Sequence, residues 1–362
     1  MSKSRYIMIG GFLGAGKTTS VLKFAEYLQE NEITVGIITN DQASNLVDSK
    51  IISTHGFDVE EIAGGCFCCR FESLKEAADK LSADTRPDVI IAEPVGSCTD
   101  LVATVSYPLR RIYGDNFSIS PLSVLVDPIR ARRILGLDEG KKFSPKVSYI
   151  YMKQMEEADL IVINKCDLLN DEQLCELHDA LAETFPASEI IHCSARYSQG
   201  LEPWFAKILS TEKNYREAMT VDYQIYGEGE AELGWLNATL NVNEETYIDG
   251  NKLLVDIAIQ IRDYLNDKDH QIAHLKMTLS PSELSTDLAV LNLVRNDMIP
   301  EESQSLQDDI MKGELIINLR AEADPDTLKN ALAAMLEKNV KLEIKDLEHF
   351  SPSFPVPVHR DK

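Results

Sequence analysis

The run Gly11-Phe-Leu-Gly-Ala-Gly-Lys-Thr18 constrains this chain more than any other stretch. It comes after the apolar run Tyr6-Ile-Met-Ile9 and precedes a helical pattern over about 18–29. Strand, glycine loop and helix in that order make a phosphate cradle. Glycines let backbone N–H groups turn inward, and the helix N-terminus adds a favourable dipole. In such a cradle Gly11, Gly14, Ala15 and Gly16 lend backbone, and Lys17 reaches the β- and γ-phosphates. The Thr18 hydroxyl ligates Mg²⁺, and Thr19 touches the α-phosphate.

Further apolar runs occupy 33–39, 89–92, 123–126, 160–164 and 189–193, with helical stretches at 73–81 and 172–184. The runs are apolar throughout rather than alternating, as in a parallel sheet covered on both faces. The expected fold is therefore α/β: a doubly wound P-loop NTPase sheet, mostly parallel, over 1–212. Composition shifts near residue 211, and 226–249 holds six acids with no Lys or Arg. The acidic run 228–232 reads as a solvated linker. Beyond it, strands are expected at 233–242, 271–279, 287–294, 314–320 and 340–347, with helices at 251–266 and 325–338. That pattern suits a smaller C-terminal α+β domain over 228–350, with a ferredoxin-like arrangement as one expectation. The three-proline segment 351–362 reads as a flexible tail.

Across 362 residues, 59 acids outnumber 36 bases, for a net charge of -23. Such a surface repels phosphate backbones and anionic lipid, so no nucleic-acid and no membrane partner is expected. A small anion held by local backbone amides remains compatible. No run approaches the roughly 18 apolar residues of a membrane span. The seven cysteines are an odd number, three of them within four residues, which points to thiolate chemistry in a reducing cytoplasm rather than to a disulfide framework.

Asn164-Lys-Cys-Asp167 closes an apolar run and matches N-K-x-D. The Asp167 carboxylate accepts from the N1–H and exocyclic amine of guanine, Lys165 packs its stem over the base, and Asn164 ties this loop to the phosphate loop. Ser194 and Ala195, in Ser194-Ala-Arg196, come after the last run, where a backbone amide can meet guanine O6. Glu93-Pro-Val-Gly96 is E-x-x-G at a strand's end, where open α/β sheets place ligands. Glu93 suits γ-phosphate or Mg²⁺ sensing, and Gly96 lets its amide approach the γ-phosphate. Asp41 is a second acid for Mg²⁺ or the attacking water; Asp48 is a weaker one. A loop carboxylate or helix cap is the competing reading of both.

Cys66-Phe-Cys68-Cys69 is C-x-C-C. Thiolates suit Zn²⁺, Cu(I) or Co²⁺, and one cluster of three leaves a site open or completed from elsewhere. Asp41, Glu60, Glu61, His55 and Cys98 are the candidate fourth ligands. A transient disulfide and three inert buried thiols are the competing readings. The cluster lies between Asp41 and Glu93 in sequence, so nucleotide state and ligand geometry are candidates for coupling.

Together these residues resemble the CobW family of SIMIBI-class P-loop GTPases, over about 6–200. The resemblance rests on the phosphate loop, Asn40-Asp41, the C-x-C-C cluster, E-x-x-G, Val126-Asp127, the segment 154–159 and N-K-x-D. It implies a GTP-hydrolysing metallochaperone that binds GTP/GDP and Mg²⁺ and delivers Zn²⁺ or Co²⁺. Lys17, Asp41 and Glu93 would carry catalysis, and Cys66, Cys68 and Cys69 would bind the metal. The implied partner is a client metalloprotein or a cofactor-synthesis enzyme, and a homodimer across the nucleotide is a possible assembly. The chain departs from the family in four respects: Asp41 stands where Glu is usual, Pro94-Val95 where Thr or Ser is usual, there is no histidine-rich stretch, and the C-terminal half does not match the family's usual C-terminal domain. Two rival readings are a metal-independent GTPase switch or client chaperone, and a small-molecule P-loop kinase.

Overall fold

The computed structural model describes residues 3–40, 47–62, 64–81, 86–213, 215, 217–282, 285, 287–338 and 341–361, apart from the side chains of 48–50 and 54. The chain divides into two units, Met1–Gly229 with Phe354–Lys362, and Glu230–Ser353.

The first unit runs β1 (Ser4–Gly11), α1 (Lys17–Glu30), β2 (Val35–Asn40), α2 (Val47–Thr54), β3 (Val59–Ile62), α3 (Phe71–Leu81), β4 (Val89–Glu93) and α4 (Tyr107–Tyr113). It continues with β5 (Phe117–Ile119), β6 (Ser123–Val126), α5 (Pro128–Leu135), α6 (Pro145–Glu157), β7 (Leu160–Ile163), α7 (Asp171–Thr184), β8 (Glu189–His192) and α8 (Leu201–Ser210). The sheet order is β3-β2-β4-β1-β6-β7-β8, with β5 also beside β1. Each of its pairings is parallel. β1, β4, β6 and β7 are buried almost end to end, which explains their unbroken apolar runs. β1 lies between β4 and β6, reached by connections leaving in opposite directions. A crevice opens at such a point beyond the strands' carboxyl ends. Gly11, Asn40, Glu93, Asn164 and Ser194 all lie at or just past those ends.

Three features differ from expectation. β3 and β5 carry no sequence signal: β3 is four residues of mixed polarity and β5 only three long, too little for a periodic pattern. The acidic run expected as a linker lies in a helix, α9 (Tyr223–Glu232). Glutamate is a good helix former, and Glu228 is held by Gln224 and by Lys146, the latter at 2.9 Å. The segment expected as a flexible tail returns to the first unit from Phe354 onward, where hydrogen bonds and ion pairs fix it.

The second unit runs β9 (Leu233–Ile248), α10 (Gly250–Asp267), β10 (Gln271–Ser280), β11 (Ala289–Leu293), β12 (Glu301–Gln304), β13 (Ile310–Glu322), α11 (Pro325–Lys338) and β14 (Leu342–Phe350). Its sheet is antiparallel, in the order β12-β11-β10-β13-β9-β14. Its core includes Leu240, Ile257, Ile261, Leu275, Ile317 and Leu328. β12 is not legible in the sequence because its four residues, Glu-Glu-Ser-Gln, carry no apolar face. Among the described residues no helix is long and apolar enough to cross a membrane.

Candidate functional site

The phosphate loop is held open by backbone that only glycine adopts easily. Gly11, Gly14 and Gly16 have φ of 132°, 77° and 93°. At Gly16 a Cβ would also fall 2.3 Å from Asn164 Nδ2, so the loop has no room for a side chain there. Lys17 and Thr18 open α1 and are buried, while Thr19 is exposed. Lys17 Nζ lies 3.5 Å from the Phe12 carbonyl, folded back along the loop. Thr18 Oγ1 donates to Glu93 Oε1 at 3.0 Å, joining the first turn of α1 to the end of β4.

The base-side residues lock onto the same loop. Asn164 Nδ2 donates to the Ala15 carbonyl at 2.9 Å, and Asn164 Oδ1 accepts from the Ala195 amide at 3.0 Å. Lys165 takes a left-handed backbone, φ 56°, and its Nζ donates to the Gly14 carbonyl at 2.8 Å. The same Nζ pairs with Asp127 at 3.0 Å, and Asp127 in turn caps α5 by accepting from the Arg130 amide. Ser194 is buried, and Asp167 is exposed at the loop's edge, able to accept from a base. The expected set therefore falls into two linked groups: Lys17, Thr18, Glu93 and Gly96 around the phosphate loop, and Asn164, Lys165, Ser194, Ala195 and Asp167 beside it. Asp41 lies outside the described residues, as does the side chain of Asp48.

Between β4 and α4 the chain passes through a buried loop. A Cβ on Gly96 would fall 2.8 Å from Leu13 Cδ2, so this glycine permits close contact with the phosphate loop. Two side chains of α6, three residues apart on one face, hold residues 96–102 in place. Gln154 Nε2 donates to the carbonyls of Gly96 at 2.9 Å and Cys98 at 2.8 Å. Glu157 accepts from Thr99 Oγ1 at 3.1 Å and from the Val102 amide at 3.0 Å. Burial pushes the Glu157 carboxyl up to about 8.

The cysteines occupy the turn before α3. The amides of Cys69 and Arg70 both donate to the Cys66 carbonyl, and Asn40 Nδ2 at the end of β2 donates to the carbonyls of Ile62 and Gly65. Cys66 and Cys68 are buried and Cys69 is half-buried. Their sulfurs lie 2.8, 3.2 and 3.7 Å apart. Around a tetrahedral ion with bonds of ~2.3 Å, sulfurs sit about 3.8 Å apart, so this triangle has only to widen slightly. Hydrogen bonds from Cys68, then Cys69 and Cys98, hold the Cys66 thiol well below its usual range. The contact with Cys66, together with burial, pushes Cys68 up.

The segment 354–361 crosses this cluster. The Val356 amide donates to Cys69 Sγ at 3.3 Å, and the Val358 amide to the Cys68 carbonyl at 2.9 Å. The His359 ring stands edge-on to Phe71. Arg360 pairs with the buried Asp100 at 2.7 Å, and Arg111 with Asp361 at 2.8 Å. Sequence reasoning does not single out Glu157, assigns no role to Asp127 or Gln154, and misses these tail contacts. The one available signal is the i, i+3 spacing of Gln154 and Glu157 on a helix.

A glycine cradle opening a helix, with an Asn-Lys-x-Asp loop bonded to it at the carboxyl end of a parallel sheet, defines a P-loop nucleotide-binding protein. The chain belongs to the family described as CobW/HypB/UreG, nucleotide-binding domain, which matches residues 5–192, over half its length. It is 28% identical over 172 residues to the zinc chaperone YeiR of Escherichia coli, covering 47% of this chain and 48% of that protein. It is 27% identical over 196 residues to the zinc chaperone CobW of Sinorhizobium sp., covering 48% and 54%. The chain thus spans about half the length of these curated relatives. Among solved structures, nickel-bound HypB from Helicobacter pylori aligns at 17% identity with a TM-score of 0.44, covering 59% of this chain and 92% of that one. Zn(II)-bound YjiA GTPase from E. coli aligns at 12% identity with a TM-score of 0.39, covering 92% and 99%.

The raised Glu157 carboxyl carries a pH signature. The unfolded chain loses this proton near the ordinary glutamate value of 4.5 and the folded chain near 8, so stability falls as pH rises between them. In Glu157→Gln the amide can reproduce the protonated acid, its oxygen accepting from Val102 and its nitrogen donating to Thr99. That variant is expected to lose this slope and to gain on the order of a few kcal/mol over the parent at pH 8–9, read from urea midpoints at pH 5, 7 and 9.

Proposed function

We propose that the protein is a GTPase, cleaving GTP to GDP and phosphate, and that it couples this reaction to the delivery of zinc, or alternatively cobalt, to a client protein or cofactor-synthesis enzyme in the cytoplasm. The observation that carries the reading is the Thr18–Glu93 hydrogen bond, because it joins the phosphate loop to the strand end that leads into the loop beside the cysteines. The names of the zinc-chaperone relatives support zinc as cargo. So does the sulfur donor set.

In this reading the loop amides and Lys17 hold the β- and γ-phosphates, and Asp167 selects guanine. Asn164 and Lys165 fix the base loop against Ala15 and Gly14. The hard oxygens of Thr18 and Glu93 suit Mg²⁺, which when bound neutralises the β- and γ-oxygens. Water attacks the γ-phosphorus, and the bond to the β–γ bridging oxygen breaks. Glu93 loses or regains its Thr18 partner as the terminal phosphate comes and goes, so it suits a sensor of nucleotide state. Cys66, Cys68 and Cys69 hold the cargo.

Asp167→Asn is expected to weaken GTP binding at least tenfold and to favour xanthosine triphosphate, measured by calorimetric titration of both nucleotides; unchanged GTP affinity removes the guanine assignment. Changing Cys66, Cys68 and Cys69 together to serine is expected to abolish high-affinity zinc binding while leaving nucleotide binding intact. Zinc binding that survives this triple change leaves the metal-independent switch as the better reading. Transfer of the γ-phosphate to a small acceptor, rather than to water, favours the kinase.

A further inference from the structure

We propose that Cys98 is the fourth sulfur ligand of the ion held by Cys66, Cys68 and Cys69, and that it ties the metal to the loop that answers to the terminal phosphate. This rests on the metal-delivery reading above and names the residue that would make the delivery conditional.

The three cluster sulfurs form one face of a tetrahedron and leave one vertex for a further donor. On the outer side, against half-buried Cys69, lies the backbone of the returning tail. There Pro355-Val-Pro-Val358 carries no ligating side chain, and the Val356 amide is a donor, not a ligand. Cys98 is buried beside the cluster, 2% exposed, with its thiol hydrogen-bonded to the Cys66 sulfur. It stands outside the trio whose sulfurs all lie within 4.8 Å of one another, so its sulfur has to swing toward the rest of the trio to close the tetrahedron. The other candidates named from sequence are engaged or turned outward. His55 is exposed with Nδ1 against the Ile51 carbonyl, Glu60 pairs with Lys80 at 3.1 Å, and Glu61 is exposed. Asp41 lies outside the described residues. A set of four thiolates suits a borderline divalent ion such as Zn²⁺ or Co²⁺.

The position of Cys98 in the chain gives the ligand a second property. Glu93, bonded to Thr18, stands five residues before it, and Gly96, pressed on Leu13, stands two before it. The Cys98 amide donates to the Val95 carbonyl at 3.0 Å, and Gln154 grips Gly96 and Cys98 with one amide nitrogen. Residues 93–98 therefore form one braced turn. A displacement of Glu93 or Gly96 by a γ-phosphate is passed to the Cys98 sulfur, while Cys66, Cys68 and Cys69 ride on a different loop. Loss of one sulfur from four weakens the hold on the ion without dismantling the site.

Cobalt titration of the full chain reads the ligand count directly, because each thiolate adds to the sulfur-to-cobalt charge-transfer absorption. Cys98→Ala is expected to lose about one quarter of that absorption and to bind zinc about tenfold or more weakly in a chelator competition. Cys98→Ser preserves the volume of the side chain and is expected to behave alike, whereas Cys175→Ala, at an exposed thiol, should match the parent. In the parent, zinc affinity is expected to differ between GDP and a non-hydrolysable GTP analogue, and in Cys98→Ala that difference should collapse. Cys98 variants with parental absorption and zinc affinity overturn the ligand assignment and leave the three-cysteine reading standing. A nucleotide effect that persists undiminished in Cys98→Ala overturns the tie to the loop. A parent chain that shows no sulfur-to-cobalt band at all removes the metal reading itself, and this inference with it.

Discussion

Everything at the carboxyl edge of the parallel sheet depends on the grip of α6 on the loop between β4 and α4. That loop is buried, and buried backbone has to find partners within the protein. Gln154 and Glu157 supply them at Gly96, Cys98 and Val102, and Glu157 also holds the Thr99 hydroxyl. Each such bond contributes about 1 kcal/mol, and stranding a buried partner costs about 1–3 kcal/mol. The loop is therefore stiff within itself and can change only by moving as a body. That is the mechanical condition for passing a small displacement at the phosphate end to a sulfur at the other.

The negative charge of the chain is no obstacle to holding a triphosphate, because the cradle's charge is local. Glycine backbone shapes the loop, and Lys17 and Lys165 both fold back onto its carbonyls. The Lys165–Asp127 pair also fixes the lysine stem where a base would rest. These groups work within a few ångströms, whereas the acidic surface is screened over about 8–10 Å of salt solution. Surface charge selects against polyanions and leaves a compact anion admissible.

Much of the first unit is legible because its chemistry is written in short, contiguous runs. The strands leading to Gly11, Glu93, Asn164 and Ser194 are largely apolar segments, and the phosphate and base loops come directly after them. The cysteine cluster is visible for the same reason. Contacts made across long separations, by residues with no periodic pattern, are not legible. Gln154 meets Gly96 across 58 positions, and Arg360 meets Asp100 across 260. Polar side chains that bond buried backbone look, in sequence, like any solvated polar residue. The tail misleads on the same ground: its prolines forbid helix and suggest fraying, yet the amides of Val356 and Val358 are free to donate.

The return of the last residues to the first unit has a consequence for how the molecule is made. Chain order places the whole of Glu230–Ser353 between the sheet that carries the sulfur turn and the strand of backbone that covers it. On the ribosome, at about 5–20 residues per second, the thiols emerge many seconds before their cover does. During that interval the cluster is open to any ion or oxidant nearby. Newly made chains thus pass through a stage in which the sulfur turn stands uncovered, and its cover arrives only after the whole second unit has been made.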